Sequence, residues 1–320
     1  MTSQSTLPDV SILIVAYQSH DVIAACINAI AAACRHYRYE VLLIDNGDGS
    51  TAAFVDGAFP DVRIVPSKGN IGFAAGNNAL AQLARAPYLL LANPDLEMRE
   101  GAVDELMDGA LRYPDAAAWG GVTLNREGTP DIGNSVHVPS LKEMVSRLVG
   151  RSSLRLAENE TYCDDRRVEA LSGSFVMLSR EAWNAASGLD ESYFLYCEEV
   201  DLFFRLSRMK FELWRIGSAR AFHDAGHGDG FAPMRLVYRA AGTMQFVRLH
   251  WSYPRQFCAF ALIWLGAFIR FMVGSAFGQM SPHLHMLGIG YRRMALSPTD
   301  WCFGYDPEKG LLAKLKLGRT

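Results

Sequence analysis

The stretch LLLANPDLEM, residues 89–98, runs from leucines straight into Asn93, Pro94 and Asp95. A proline that ends a buried strand leaves the Asp95 carboxylate at the strand's mouth. A hard divalent cation takes oxygen ligands, and Mg2+ commonly uses one or two carboxylates together with substrate phosphates. Asp95, with Asn93 two residues before it, suits a cation held against a diphosphate, although the same three residues also make an ordinary turn. Further on, YCEEVDLFFR (196–205) sets Glu198, Glu199 and Asp201 close together. On a helix Glu198 and Asp201 share a face, Glu199 points elsewhere, and Arg205 is placed to pair with Asp201. Such crowding is costly unless a metal, a general-base role or the arginine offsets it. A solvated helix start favoured by the macrodipole is the plain alternative. The flanking Tyr193, Phe194, Tyr196, Phe203 and Phe204 speak against full exposure. In AFHDAGHG (221–228), His223 ends a short strand before a glycine loop that carries His227, an arrangement equally suited to packing and to ligation.

Two further segments could meet a ligand. In VLLIDNGDGS, Asp45 can accept hydrogen bonds from a ribose hydroxyl or a base N–H, or simply hold its own turn. In KGNIGFAAGNN (68–78), Gly69, Gly72 and Gly76 open a helix whose N-terminus favours an anion. The spacing is neither the G-x-G-x-x-G dinucleotide fingerprint nor a Walker loop. A glycine turn that only lets helix and strand pack is the alternative reading.

These residues need elements to hold them. VSILIVAY (10–17), EVLLIDN (40–46), VRIVPS (62–67) and YLLLANPD (88–95) read as strands, and segments 21–33 and 72–86 as helices. Short, unalternated apolar strands between helices predict βαβ units around a parallel sheet buried on both faces. Ligands of such sheets lie at the carboxyl ends of the strands. Four polar strand ends, at Tyr17, Asp45, Ser67 and Asn93, should therefore converge on one rim. Residues 139–167 read as a variable excursion, 169–183 as a strand and a helix start, 193–209 as an aromatic entry into a helix, and 211–228 as two short strands and a loop. Helices should dominate from there to about residue 295.

Half of the 320 residues are hydrophobic, which excludes a disordered chain. Charge is unevenly spread. Residues 202–320 hold 16 Lys and Arg against 6 Asp and Glu, whereas residues 1–201 hold 15 against 28. A basic back half suggests an anionic partner such as phospholipid, a lipid pyrophosphate or nucleic acid. The six cysteines show no metal-type spacing and are expected to be reduced thiols in a cytosolic setting. The N-terminus lacks the basic and apolar regions of a signal peptide. Segment 257–278 is apolar except for Arg270 and is long enough for a tilted span. Arginines flank it on both sides, Arg248 and Arg255 before, Arg292 and Arg293 after. This speaks against a span and favours an interfacial helix with basic residues meeting anionic lipid, with a buried helix or an oligomer contact as the competing reading.

Taken in order, VSILIVAYQS, VLLIDNGDGS, KGNIGFAAGNN, LLLANPDLEM, LSGSFVMLSREAW, GLDESYFLYCEEVDLFFR and AFHDAGHG resemble the family 2 inverting glycosyltransferases, most closely the rhamnosyltransferase-like branch. The resemblance implies a GT-A fold: a Rossmann-like mixed, mostly parallel α/β sheet flanked by helices over residues 1–228, with a C-terminal helical extension over 229–320 suited to membrane association. It implies that Tyr17 and Asp45 meet the nucleotide, that Gly69, Asn70, Gly72, Gly76, Asn78 and Asn93 shape the donor pocket, and that Asp95 and His223 hold a divalent cation, Mg2+ or Mn2+. Asn93-Pro94-Asp95 stands where the family has its D-x-D metal motif, with Asn93 in place of an aspartate. Ser172, Gly173, Ser174, Asp190, Glu198 and Asp201 would lie on the acceptor side. Glu199 falls at the family's catalytic base, usually an aspartate, and Glu198 beside it leaves the division of roles open.

The resemblance further implies a nucleotide-sugar donor, most plausibly dTDP-L-rhamnose, and a glycan or polyprenyl-pyrophosphate-linked acceptor in cell-envelope polysaccharide synthesis. The enzyme would sit in the cytoplasm, peripheral at the cytoplasmic face of the inner membrane. Two other readings compete. A nucleotidyltransferase on a similar sheet should carry a basic, glycine-rich loop after the first strand, and AYQSHD offers none. A sugar-nucleotide-binding pseudoenzyme or scaffold has no need of Asp95, Glu199 and His223 together. No nucleic-acid partner is expected, because the basic excess lies beside an apolar stretch and not in a binding motif.

Overall fold

The computed structural model describes residues 7–130, 134, 136–150, 162–223 and 233–317; His227 and the glycine loop around it lie outside the described residues. In chain order the elements are β1 (Val10–Ala16), α1 (Ile23–Ala33), β2 (Tyr39–Asp45), α2 (Ser50–Ala58), β3 (Val62–Val65), α3 (Phe73–Leu83), β4 (Tyr88–Ala92), β5 (Leu96–Met98), α4 (Ala102–Arg112) and β6 (Ala116–Leu124). They continue with α5 (Leu141–Leu148), β7 (Arg166–Arg167), β8 (Phe175–Ser179), α6 (Arg180–Ala185), α7 (Glu198–Arg208), β9 (Glu212–His223), α8 (Pro233–His250), α9 (Tyr253–Phe277), α10 (Pro282–Leu296) and α11 (Leu311–Leu317).

The described residues fall into two units. The first takes residues 7–138, 162–190 and 199–223, and holds the sheet. Its order is β3-β2-β1-β4-β8-β6-β9-β5, with β7 beside β9. The half built by β3, β2, β1 and β4 is parallel. In the other half β8 runs antiparallel to β4 and β6, β6 runs parallel to β9, and β5 and β7 are antiparallel to β9. The sheet is thus mixed, as the resemblance implied.

Alternate residues of each strand feed two cores. Ile12, Ile14, Leu43 and Leu90 pack with α1 and α4 on one face. Leu13, Leu42, Ile44, Leu89 and Leu91 pack with α3, α6 and α7 on the other. Burial on both faces is why these strands carry apolar residues without alternation. Truncating any one of these leucines to alanine should cost about 2–5 kcal/mol.

The second unit takes residues 139–150, 191–198 and 233–317 and is helical. α9 and α10 form an antiparallel hairpin closed by a short 3-10 turn at Gly278–Met280. Their glycines permit a close crossing. A Cβ on Gly274 would lie 2.1 Å from the Gly288 nitrogen. α5 lies along α9, where Leu148 meets Gly266 and Arg270 Nη2 donates to Arg147 O (2.7 Å).

Three features depart from the sequence expectations. Segment 212–223 is one strand, β9, with register shifts against β6 near Gly120 and Val122, and not two strands. β6, in the middle of the sheet, reads AAAWGGVTL, and its weak strand composition hid it. Its glycines are needed there: a Cβ on Gly121 would fall 2.1 Å from the Phe175 ring. Finally, the second unit is discontinuous and gathers residues 139–150 and 191–198 in addition to residues 233–317.

Candidate active site

Asp95 sits in a turn built by its neighbours. The Leu96 N–H donates to Asn93 O (3.1 Å), so Asn93 to Leu96 form a four-residue turn with Pro94 in the second place, where a fixed φ is favoured. The Asn93 N–H donates to Ser174 O (3.0 Å), and the Cys26 thiol lies 3.5 Å from Asn93 O. The chain then enters β5, whose Leu96 stands opposite His223 on β9. That register brings His223 Nε2 to 3.5 Å from Asp95 Oδ1 and 3.2 Å from Asn93 Nδ2. The imidazole is 9% exposed and the carboxylate 21%. Burial, and after it the charge of Asp95, push the Cys26 thiol up to about 12, so it stays protonated beneath the turn.

Ser174 links this turn to α7. Its hydroxyl lies 2.9 Å from that of Ser172. Between them, Gly173 faces Glu199 and Phe73: a Cβ there would stand in ordinary contact, 3.4 Å from Glu199 Cβ and 3.5 Å from the Phe73 ring. Asp95, Asn93, His223, Ser172, Gly173, Ser174 and Glu199 therefore lie in one neighbourhood of the first unit. Glu198, 4% exposed, opens α7. Asp201 is buried deeper, at 1%, and accepts from Arg205 Nε (2.7 Å), whose other nitrogens donate to Ala186 O and Gly188 O. Asp201 thus holds the turn before Leu189 through Arg205. Asp190, half-buried, follows directly.

The loops after β1, β2 and β3 meet on the same edge of the sheet. Tyr17 is 53% exposed there. Asp45 is buried, and both its oxygens accept from its own loop, Oδ1 from the Gly47 N–H (2.7 Å) and Oδ2 from the Ala52 N–H in the first turn of α2 (3.0 Å). Gly69 and Gly72 adopt positive φ, and Asn70 Oδ1 accepts the Gly72 N–H (3.1 Å). Gly76 serves packing, since a Cβ would touch Val15 at 3.0 Å. Asn78 is engaged on both amide atoms by the backbone of Leu189. A residue that sequence reasoning passed over, Asn46, ties these loops together: Nδ2 donates to Gly72 O (2.9 Å) and its N–H donates to Ala16 O (2.7 Å). Its place next to Asp45 at the end of β2 was the available signal.

Among the described residues no cluster of three or more His, Cys, Asp and Glu side chains could hold a metal ion. Asp95 and His223 offer two donors, which suits a cation that takes its other ligands from a diphosphate and water. The Asp95–His223 separation is long for a hydrogen bond, so the pair is not locked together.

Residues 11–184 match the model of a family described as glycosyl transferase family 2. An N-acetylglucosaminyl-diphospho-decaprenol L-rhamnosyltransferase of Mycobacterium tuberculosis is 32% identical over 219 residues, 60% of this chain and 69% of that protein. The rhamnosyltransferase WbbL of Escherichia coli K12 is 27% identical, covering 69% of this chain and 85% of its own. Among solved structures, GalNAc-T7 with UDP, GalNAc and Mn2+ superposes with a TM-score of 0.56 at 13% identity, over 91% of this chain and 55% of that one. The mannosyltransferase PcManGT of Pyrobaculum calidifontis, in complex with GDP-Man and Mn2+, gives 0.54 at 13% identity, over 95% and 88%. At this identity the structures speak for the fold alone, which is the GT-A arrangement of a mixed sheet with flanking helices. The chain belongs to glycosyl transferase family 2, and within it to the rhamnosyltransferase branch.

Proposed function

We propose that this glycosyltransferase moves a sugar, L-rhamnose from dTDP-L-rhamnose, onto a hydroxyl of a glycan or polyprenyl-pyrophosphate-linked glycan by single displacement with inversion. The observation that carries the reading is the continuity from Asp95 and His223 through Ser174 and Gly173 to Glu199. A candidate diphosphate-side group and a candidate base in one neighbourhood support the reading. Glu199 would take the proton from the acceptor hydroxyl as its oxygen attacks the anomeric carbon. The bond from that carbon to the diphosphate breaks, the nucleoside diphosphate leaves, and attack from the opposite face inverts the centre. Asp95 and His223 would hold a divalent cation, Mg2+ or Mn2+, which when bound offsets the charge developing on the diphosphate. Ser172, Ser174 and Asp190 would face the acceptor, and Tyr17 the nucleotide.

The donor and acceptor follow the relatives' names, one of which is a rhamnosyltransferase for N-acetylglucosaminyl-diphospho-decaprenol. The setting would be the cytoplasmic face of the membrane, in cell-envelope polysaccharide synthesis. A panel of nucleotide sugars, tested for thermal stabilisation and for transfer with and without chelator, checks the reading. Selective stabilisation by dTDP-L-rhamnose, transfer lost on chelation, and a product of inverted anomeric configuration are expected. Selective use of another donor would move the sugar assignment, and full activity after exhaustive chelation would reject the cation.

A further inference from the structure

The apolar run in α9 has arginines on both flanks, which in the linear chain speaks against a span. The hairpin changes what the flanks mean. Gly278 meets His285, Gly274 meets Gly288, Arg270 stands 5.5 Å over the Tyr291 ring, and Trp264 Nε1 donates to Ala295 O (3.1 Å). α10 therefore retraces α9, and Arg255 and Arg292 both lie on the open side of the hairpin. Its closed end, residues 271–290, contains no Asp, Glu, Lys or Arg.

That closed end is also bare. Phe277 is 51% exposed and Met280 77%, with Met272, Val273, Met286 and Ile289 exposed around them. The charges stop at a defined level. Arg270 donates through Nη1 to Gly266 O (2.9 Å) and through Nη2 to Arg147 O (2.7 Å) at the C-terminal turn of α5, and Arg292 is exposed beside Tyr291. Arginine with tyrosine is the composition of a headgroup belt. From Arg270 to Met280 a helix rises about 15 Å, which is half of a hydrocarbon core about 30 Å thick.

We propose that the α9–α10 hairpin is a monotopic anchor whose closed end enters one leaflet of a lipid bilayer, with Arg270, Tyr291 and Arg292 at headgroup depth. The charge-free length fits one leaflet and falls short of two. The proposal rests on the membrane partner in the proposed function and replaces contact along the bilayer surface with insertion. It is independent of the transfer chemistry.

Flotation of the full-length protein with neutral phosphatidylcholine vesicles and with vesicles containing phosphatidylglycerol, at low and at molar salt, tests it. Binding to both that survives molar salt is expected. The double variant Phe277→Glu, Met280→Glu should lose it at least about tenfold while keeping its circular dichroism spectrum. Binding only to anionic vesicles and released by salt would overturn insertion in favour of surface attraction. No binding to either would remove the lipid altogether. A dimer in size-exclusion chromatography that the double variant splits would make a second copy the occupant. Donor-induced thermal stabilisation, measured in parallel, reports on the transferase reading whatever the vesicles do.

Discussion

Asp95 Oδ1 lies 3.5 Å from His223 Nε2 because β5 pairs with β9 in a register that sets Leu96 opposite His223. The two residues are 128 positions apart in the chain. A three-residue strand directly after the Asn93 turn is what joins them. Removing the carboxylate by Asp95→Ala should lower kcat/KM about 100-fold or more, and His223→Ala should lower metal affinity and activity in the same direction. Titration of activity with Mn2+ checks this: both variants should need more metal for half-maximal rate, and an unchanged titration would remove the two residues from the cation site.

Much of this arrangement was legible beforehand. The four strand ends, the turn at Asn93 and the helix carrying Glu199 follow from unalternated apolar runs and turn residues, because a strand buried on both faces leaves a plain mark. β5 and β6 do not. Leu96–Met98 is too short to show a pattern, and β6 owes its place to glycines that let Leu171 and Phe175 close over it. A ligand role for Asp45 was read from residue type and one for Asn78 from the resemblance. The structure gives both side chains backbone partners, which a sequence cannot distinguish from a ligand.

In the second unit, Tyr196 and Cys197 both adopt left-handed backbone, at φ 67° and 70°, just before α7. For residues other than glycine this costs on the order of 1–3 kcal/mol each, so neighbours must hold it. Gly242 on α8 lets the turn come close: a Cβ there would lie 2.3 Å from Tyr196 O. The Tyr305 hydroxyl donates to Leu195 O from the other side. Gly242→Ala should therefore destabilise by roughly 1–3 kcal/mol, seen as a lower denaturation midpoint, while alanine at the open Gly57 should leave the midpoint nearly unchanged.

Asp300 anchors the C-terminal segment, accepting from Arg293 Nε (2.8 Å) and from Lys314. Burial pushes its carboxyl up, but the hydrogen bonds from Lys314 and Arg293 outweigh it and leave the group below its ordinary 3.8. A folded value below the unfolded one gives stability that is present above about pH 4 and is lost as pH falls through the folded value. Asp300→Asn should lower stability at neutral pH and flatten that acid limb. Denaturant midpoints between pH 7 and pH 3 check it, and parallel curves for variant and wild type would count against the pairing.

Cysteine labelling tests the packing under the Asn93 turn. Burial, followed by the charge of Asp104, pushes Cys34 up to about 12, as burial and Asp95 do for Cys26. Cys163 and Cys258 are exposed. Maleimide at neutral pH should modify Cys163 and Cys258 quickly and spare Cys26 and Cys34 until the protein unfolds. Mass spectrometry of the labelled peptides reads the order, and early labelling of Cys26 would mean that the Asn93 turn opens readily.

The most direct measurement is the transfer rate of Glu199→Gln with donor and acceptor saturating. As the group that accepts the acceptor's proton, Glu199 should account for about 10²–10⁴-fold in kcat, with the donor-induced thermal shift unchanged. Turnover within a few-fold of wild type would contradict the assignment of the base and, with it, the single displacement built on the Asp95 to Glu199 site.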